Sequence, residues 1–134
     1  MKRTDRRAYG LAAFIGGAGV MHFVSPSFFD SIVPRWMPGR PRTTTYVSGV
    51  AELVGAGLVL APATRRIGGW WCVLILFGVY PANIQMALDG GVQDAPPSPL
   101  NSAAAAWIRL PMQFPMIWSA YRVARDAAPQ RLVR

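Results

Sequence analysis

Four apolar stretches, separated by short arginine-rich runs, constrain this chain more than any other feature. They run from Tyr9 to about Val24, from Thr45 to Ala61, from Ile67 to about Leu88, and from Ala103 to about Ala124. Each approaches the roughly 20 residues that a helix needs to cross the hydrocarbon core of a bilayer. Hydrocarbon offers backbone amides no water, so a chain crosses it only as helices or as a closed barrel. The expected fold is all-α: a four-helix transmembrane bundle, forming a single integral membrane domain over residues 1–134. The spans fall at about 9–24, 45–61, 67–88 and 103–124. Charged residues make up only 15% of the chain, whereas soluble domains carry about 25%.

The formal net charge is +8, which raises the question of nucleic acid. A nucleic-acid binder gathers its bases on one surface. Here they lie between the apolar runs, which argues against that class. With an inward N-terminus, the cytoplasmic segments hold Lys2, Arg3, Arg6, Arg7, Arg65, Arg66, Arg122, Arg125, Arg131 and Arg134. The outer loops hold only Arg35, Arg40 and Arg42, and Arg109 lies within a span. That bias sets both termini inside by the positive-inside rule. The first stretch ends in His22-Phe23-Val24-Ser25-Pro26 rather than a small-residue cleavage site, so it reads as a retained anchor. The first outer loop mixes Phe28, Phe29, Ile32, Val33, Trp36 and Met37 with prolines, and reads as an interfacial segment capping the bundle. The lone Cys72 excludes an intramolecular disulfide, and one cysteine with one histidine supplies no structural zinc set.

Polar side chains within spans are costly and by default mark a site. Here they are His22, Glu52, Asn83, Gln85, Arg109 and Gln113. At a helical rise of about 1.5 Å per residue, Glu52 and Arg109 lie about 9 Å below their outer ends, Asn83 about 8 Å and His22 about 4 Å. A polar layer therefore forms in the outer half. Glu52 and Arg109 are the expected partners, since a paired charge costs far less to bury and a guanidinium matches a carboxylate with two parallel bonds. Asn83 and Gln113 would satisfy the remaining groups, and Trp36 and Trp107 would cover the pocket. Pro81, Pro111 and Pro115 free backbone carbonyls beside this layer. The layer has two readings: a register pin for four helices, or a ligand pocket. Small residues at Ala13, Gly17, Gly49, Ala51, Gly55 and Gly57 would allow close helix contact.

Several motifs in order carry a family resemblance. They are Gly19-Val20-Met21-His22-Phe23 with Pro26 and Phe29, then Val33-Pro34-Arg35-Trp36-Met37-Pro38, then Ser48-Gly49-Val50-Ala51-Glu52-Leu53. Thr64-Arg65-Arg66, Pro81-Ala82-Asn83-Ile84 and Arg109-Leu110-Pro111-Met112-Gln113 complete them. From about Tyr9 to Tyr121 the chain resembles the DoxX-like family of small bacterial membrane proteins. The resemblance implies a four-helix bundle in the bacterial plasma membrane. It also implies links to thiosulfate:quinone oxidoreductase subunits, to oxidative-stress and thiol complexes, and to assembly factors.

The expected role is an accessory or ligand-binding subunit with a quinone-type ligand, linked to membrane redox or oxidative-stress systems. The alternative is a structural or assembly factor for a partner membrane protein. Lipid is a partner in either case, a homo-oligomer stays open, and no nucleic acid is expected. The chain offers no nucleophile–base pair, metal set or phosphate loop, which argues against an independent catalyst. Four spans without repeated halves argue against a transporter.

Overall fold

The computed structural model describes residues 2–93 and 97–127. Asp94, and Arg131 and Arg134 of the C-terminal tail, lie outside the described residues. The fold is all-helical, with no strand among the described residues. Helix α1 is Arg3–Val24, α2 Pro26–Ile32, α3 Pro41–Leu60, α4 Arg65–Gly78, α5 Tyr80–Leu88 and α6 Ala103–Asp126, with a 3-10 turn at Pro99–Asn101 before α6.

The helix boundaries follow local chemistry. Pro26 and Pro41 open α2 and α3 at the first helical position, where the missing N–H has no partner to lose. The Ser102 hydroxyl caps α6 by accepting from the Ala105 N–H at 3.2 Å. Pro81 cannot donate to the carbonyl four residues back, and the chain breaks between α4 and α5. Gly91 has φ +109° and brings the backbone against Asn101 and Ser102, where a side chain has no room. Helix α1 begins six residues before the apolar stretch does. Its first two turns are polar, and hydropathy registers only the apolar part.

Two helical segments are long and apolar enough to cross a membrane: Pro41–Leu60, and α4 with α5 as one segment, Arg65–Leu88. Helix α1 passes the same test only together with α2, which turns away from it by 98°. Helix α6 carries Arg109, Gln113 and a charged last turn, which lower its mean hydropathy.

The long helices form a ring. Helix α1 packs on α3, α3 on α4, α4 on α6, and α6 on α1. Helices α3 and α6 are not among the packed pairs and stand at opposite corners. The start of α1, the α3–α4 turn and the end of α6 meet at one end, joined by Arg65–Asp5 at 2.7 Å and Arg7–Asp126 at 3.6 Å. The opposite end carries Arg42–Asp30 at 2.7 Å and Arg35–Asp89 at 3.5 Å.

Two apolar cores lie along the axis. One, toward the arginine-rich end, is built from small and branched residues of α1, α3, α4 and α6, including Ala8, Ile15, Val59, Cys72, Ala120 and Val123. The other, at the opposite end, joins Ile32, Met86, Ala87, Val92 and Ala106. Gly69 is the closest seam in the first core: a Cβ there would stand 2.5 Å from the Ala124 backbone nitrogen. Small residues do set helix contacts, but not all of those expected. Ala13 and Gly17 face outward, and a Cβ at Gly17 or Gly57 would meet open space. Ala12, Gly16 and Gly19 make the α1 contact instead. Spacing alone could not separate two small-residue faces on one helix.

Candidate functional site

Between the two cores lies a cavity of about 630 Å³. Its wall includes His22, Glu52, Asn83, Arg109 and Gln113. Helices α1, α3, α5 and α6 each bring one or two of these residues to the same space. Gln85, the remaining amide of the layer, instead donates to Asp89 at 3.0 Å.

Glu52 does not pair with Arg109. Gly19 and Gly49 let α1 and α3 approach closely, since a Cβ on either would fall about 3 Å or less from the other helix. That crossing sets His22 beside Glu52, with Nδ1 3.2 Å from Oε2. The same Nδ1 lies 2.8 Å from the Ala18 carbonyl. One ring nitrogen carries one proton, and the Ala18 geometry takes it. Glu52 Oε2 is left buried with no hydrogen bond among the described residues. The carboxylate therefore has acceptor capacity to spare at the cavity wall. The physical reason for the changed partner is topology: α3 and α6 are diagonal in the ring, and equal depth does not make neighbours.

Arg109 reaches weak partners only. Nη1 lies 3.8 Å from Met86 Sδ, Nη2 donates to the Leu100 carbonyl at 3.4 Å, and the guanidinium sits 5.5 Å from the Phe28 ring centre. Among the described residues no carboxylate pairs with it. Its donors remain available to an oxygen-bearing ligand.

Asn83 and Gln113 behave differently. Asn83 Nδ2 donates to Gln113 Oε1 at 2.6 Å, and Gln113 Nε2 donates to the Leu76 carbonyl. Leu76 is in the last turn of α4, where the break at Pro81 leaves carbonyls without helical donors. These amides repair the broken backbone and tie α5 and α6 to α4. Gln113→Leu is expected to leave the Leu76 carbonyl and the Asn83 amide unmet, lowering stability by about 2 kcal/mol. Thermal melting in detergent reads this, and an unchanged midpoint would remove the backbone-repair role.

The cover of the cavity is not the expected one. Trp36 is 69% exposed and Trp107 55%, and neither lines the space. Trp107 lies two residues from Arg109, about 200° around the helix at 3.6 residues per turn, and so faces away. Helix α2 supplies the cover instead. Phe29 stacks on His22 with ring centres 3.6 Å apart, and Phe28 lies beneath Arg109. Asp30 pins α2 to α3 by accepting from Arg42 at 2.7 Å and Thr45 Oγ1 at 2.6 Å.

A family model described as a domain of unknown function, DUF8561, matches residues 11–124. The chain belongs to the DUF8561 family. No curated protein and no solved structure matches it. The DUF8561 match takes in every residue that lines the cavity. Asp5, Arg7 and Asp126, which clasp the arginine-rich end, fall outside it.

Sequence reasoning missed one buried charge in this DUF8561 chain. Arg65 is only 5% exposed and donates to the Val59 carbonyl at 3.0 Å and to Asp5 at 2.7 Å. It read as an ordinary loop arginine. The available signal was Asp5, the only acid within the N-terminal basic cluster. Chemically, the cavity offers one free carboxylate acceptor, one guanidinium donor and flat aromatic faces. These are hydrogen-bonding groups set in a largely apolar wall; no group of residues that could hold a metal ion is found among the described residues.

Proposed function

We propose that this chain crosses the bacterial plasma membrane four times with both ends in the cytoplasm. In this reading it is a ligand-binding accessory subunit of a membrane redox or oxidative-stress system, and its cavity receives a quinone-type head group. The observation that carries the binding role is the cavity wall itself: among the described residues Glu52 Oε2 is buried without a hydrogen bond and Arg109 has no carboxylate partner, around about 630 Å³. Small-molecule sites commonly measure about 300–1,000 Å³, mostly apolar with a few convergent polar groups.

The membrane reading is supported by the surface. Phe14, Val47, Leu74, Phe77, Ile108, Phe114 and Trp118 are exposed along the long helices. Soluble monomers rarely carry contiguous apolar surface on that scale. The orientation is supported by the gathering of Arg3, Arg6, Arg7, Arg66, Arg122 and Arg125 at the end where α1 starts and α6 stops. The redox association rests on the DoxX-like motifs.

Equilibrium dialysis of the detergent-solubilised protein against a short-chain benzoquinone tests the binding role. One saturable site per chain is expected, together with a quinone retained by freshly purified protein in native mass spectrometry. Protein that binds none and carries none from the membrane overturns the reading. A second reading, a structural or assembly factor, is favoured by the Asn83–Gln113–Leu76 chain, whose hydrogen bonds are spent on the fold. Co-purification with a larger membrane protein, with no quinone bound, would favour it.

A further inference from the structure

The cavity lining reaches the surface at two depths. His22, Glu52 and Gln113 are buried in its wall, Leu100 at the outer end is 68% exposed, and Phe14 on α1 and Met112 on α6, deeper down, are 55% and 59% exposed. Phe14 lies ten residues before the outer end of α1, and Met112 nine after the start of α6. At about 1.5 Å per residue both stand about 14–15 Å below the outer ends. That is close to the midplane of a hydrocarbon core about 30 Å thick. Helices α1 and α6 share the core near the arginine-rich end, through Ala8, Leu11, Ala120 and Val123. Beyond it α1 has no packed partner in α5. The wall is therefore parted on the side facing lipid, while α2 lies across the outer end.

We propose that the cavity is entered sideways from the bilayer, between Phe14 and Met112, and that its occupant is a single-tailed amphiphile with a neutral, oxygen-bearing ring as head. This rests on the ligand-pocket reading above. The head is neutral because the wall presents one carboxyl and one guanidinium, so a charged head would meet its own sign on one side. A flat ring fits beside Phe28 and Phe29, which line the space while Phe29 stacks on His22 and Phe28 lies beneath Arg109. The tail lies along Met21, Met112 and Met116, whose unbranched thioethers conform to irregular chains. A prenylated quinone has this chemistry.

The test uses the full chain in lipid nanodiscs and a benzoquinone whose isoprenoid tail carries a photoreactive diazirine. Labelling is expected on peptides containing Phe14 or Met112, and excess short-chain benzoquinone should suppress it. Met112→Trp narrows the opening, and should weaken binding of the tailed quinone at least five-fold more than that of the short-chain form. A melting curve like that of the wild type confirms that the variant folds. Labelling at Ser25, Leu100 or Asn101 instead, with equal effects of Met112→Trp on both quinones, overturns lateral entry and leaves the pocket standing. Labelling suppressed by added phospholipid but not by short-chain quinone assigns the opening to bulk lipid and overturns the proposal. Saturable binding of neither quinone overturns the pocket and the entry route together.

Discussion

Arg65→Ala is expected to lower stability by about 3 kcal/mol, more than any other single truncation near the arginine-rich end. The guanidinium joins three chain segments. Nε donates to the Val59 carbonyl at 3.0 Å, Nη2 to the Leu60 carbonyl at 3.4 Å, and Nη1 to Asp5 at 2.7 Å. The first two are carbonyls of the last turn of α3, which have no helical donors and carry the negative end of its dipole. Alanine would leave them in a site only 5% exposed, free the Asp5 carboxylate and remove the guanidinium that lies over the Tyr9 ring. Arg66, the next residue, is exposed, and Arg66→Ala should change stability by less than about 0.5 kcal/mol. Thermal unfolding of both variants in detergent separates a buried fastening from mere local positive charge. Equal melting of the two would mean that the cationic cluster acts only as a whole.

Glu52→Met is expected to work in two opposite directions. Stability should rise by about 1 kcal/mol, while binding of a short-chain quinone should fall at least ten-fold, about 1.4 kcal/mol. The sign follows from His22. Its Nδ1 serves the Ala18 carbonyl at 2.8 Å, so that carbonyl keeps its donor and the ring keeps a partner when the carboxylate is removed. The carboxylate itself has a buried oxygen without a hydrogen bond, and an apolar side chain of similar volume relieves that cost. A residue that weakens the fold and serves a ligand follows the usual trade of stability for function. A register pin predicts the reverse, with a large drop in melting temperature on Glu52→Met. The exchange of Glu52→Arg with Arg109→Glu should restore nothing, because α3 and α6 are not neighbours. Recovery in that double variant would reinstate the direct ion pair.

The legible part of this protein was whatever depends on distance along the chain. Apolar run length located the long helices, and Pro81 marked the place where α4 gives way to α5. Depth below the outer end put His22, Glu52, Asn83 and Arg109 in the outer half of the spans, and they line one cavity together with Gln113. Whatever depends on rotation and adjacency was hidden. Glu52 meets His22 rather than Arg109 because Gly19 and Gly49 decide which helices touch. Trp107 faces outward because two residues carry it past the far side of α6. Arg65 looked like a surface charge because its partners, Val59, Leu60 and Asp5, come together only when three segments fold. The aromatic cover came from Phe28 and Phe29, placed by the 98° turn between α1 and α2.

The ring of helices also has a consequence for the order of assembly. Helix α1 packs most extensively on α3, so the two can associate as a hairpin soon after they leave the ribosome. Helix α6 is made much later, and its contact with α1 is slighter. The seams of α6 with α1, α4 and α5 are thus the last to close during synthesis, and Arg7–Asp126 fastens the α1–α6 seam at the arginine-rich end. The proposed lateral entry lies on the α1–α6 seam. In that proposal a ligand in the membrane is enclosed as the protein is completed, and occupancy becomes a matter of synthesis as well as of exchange.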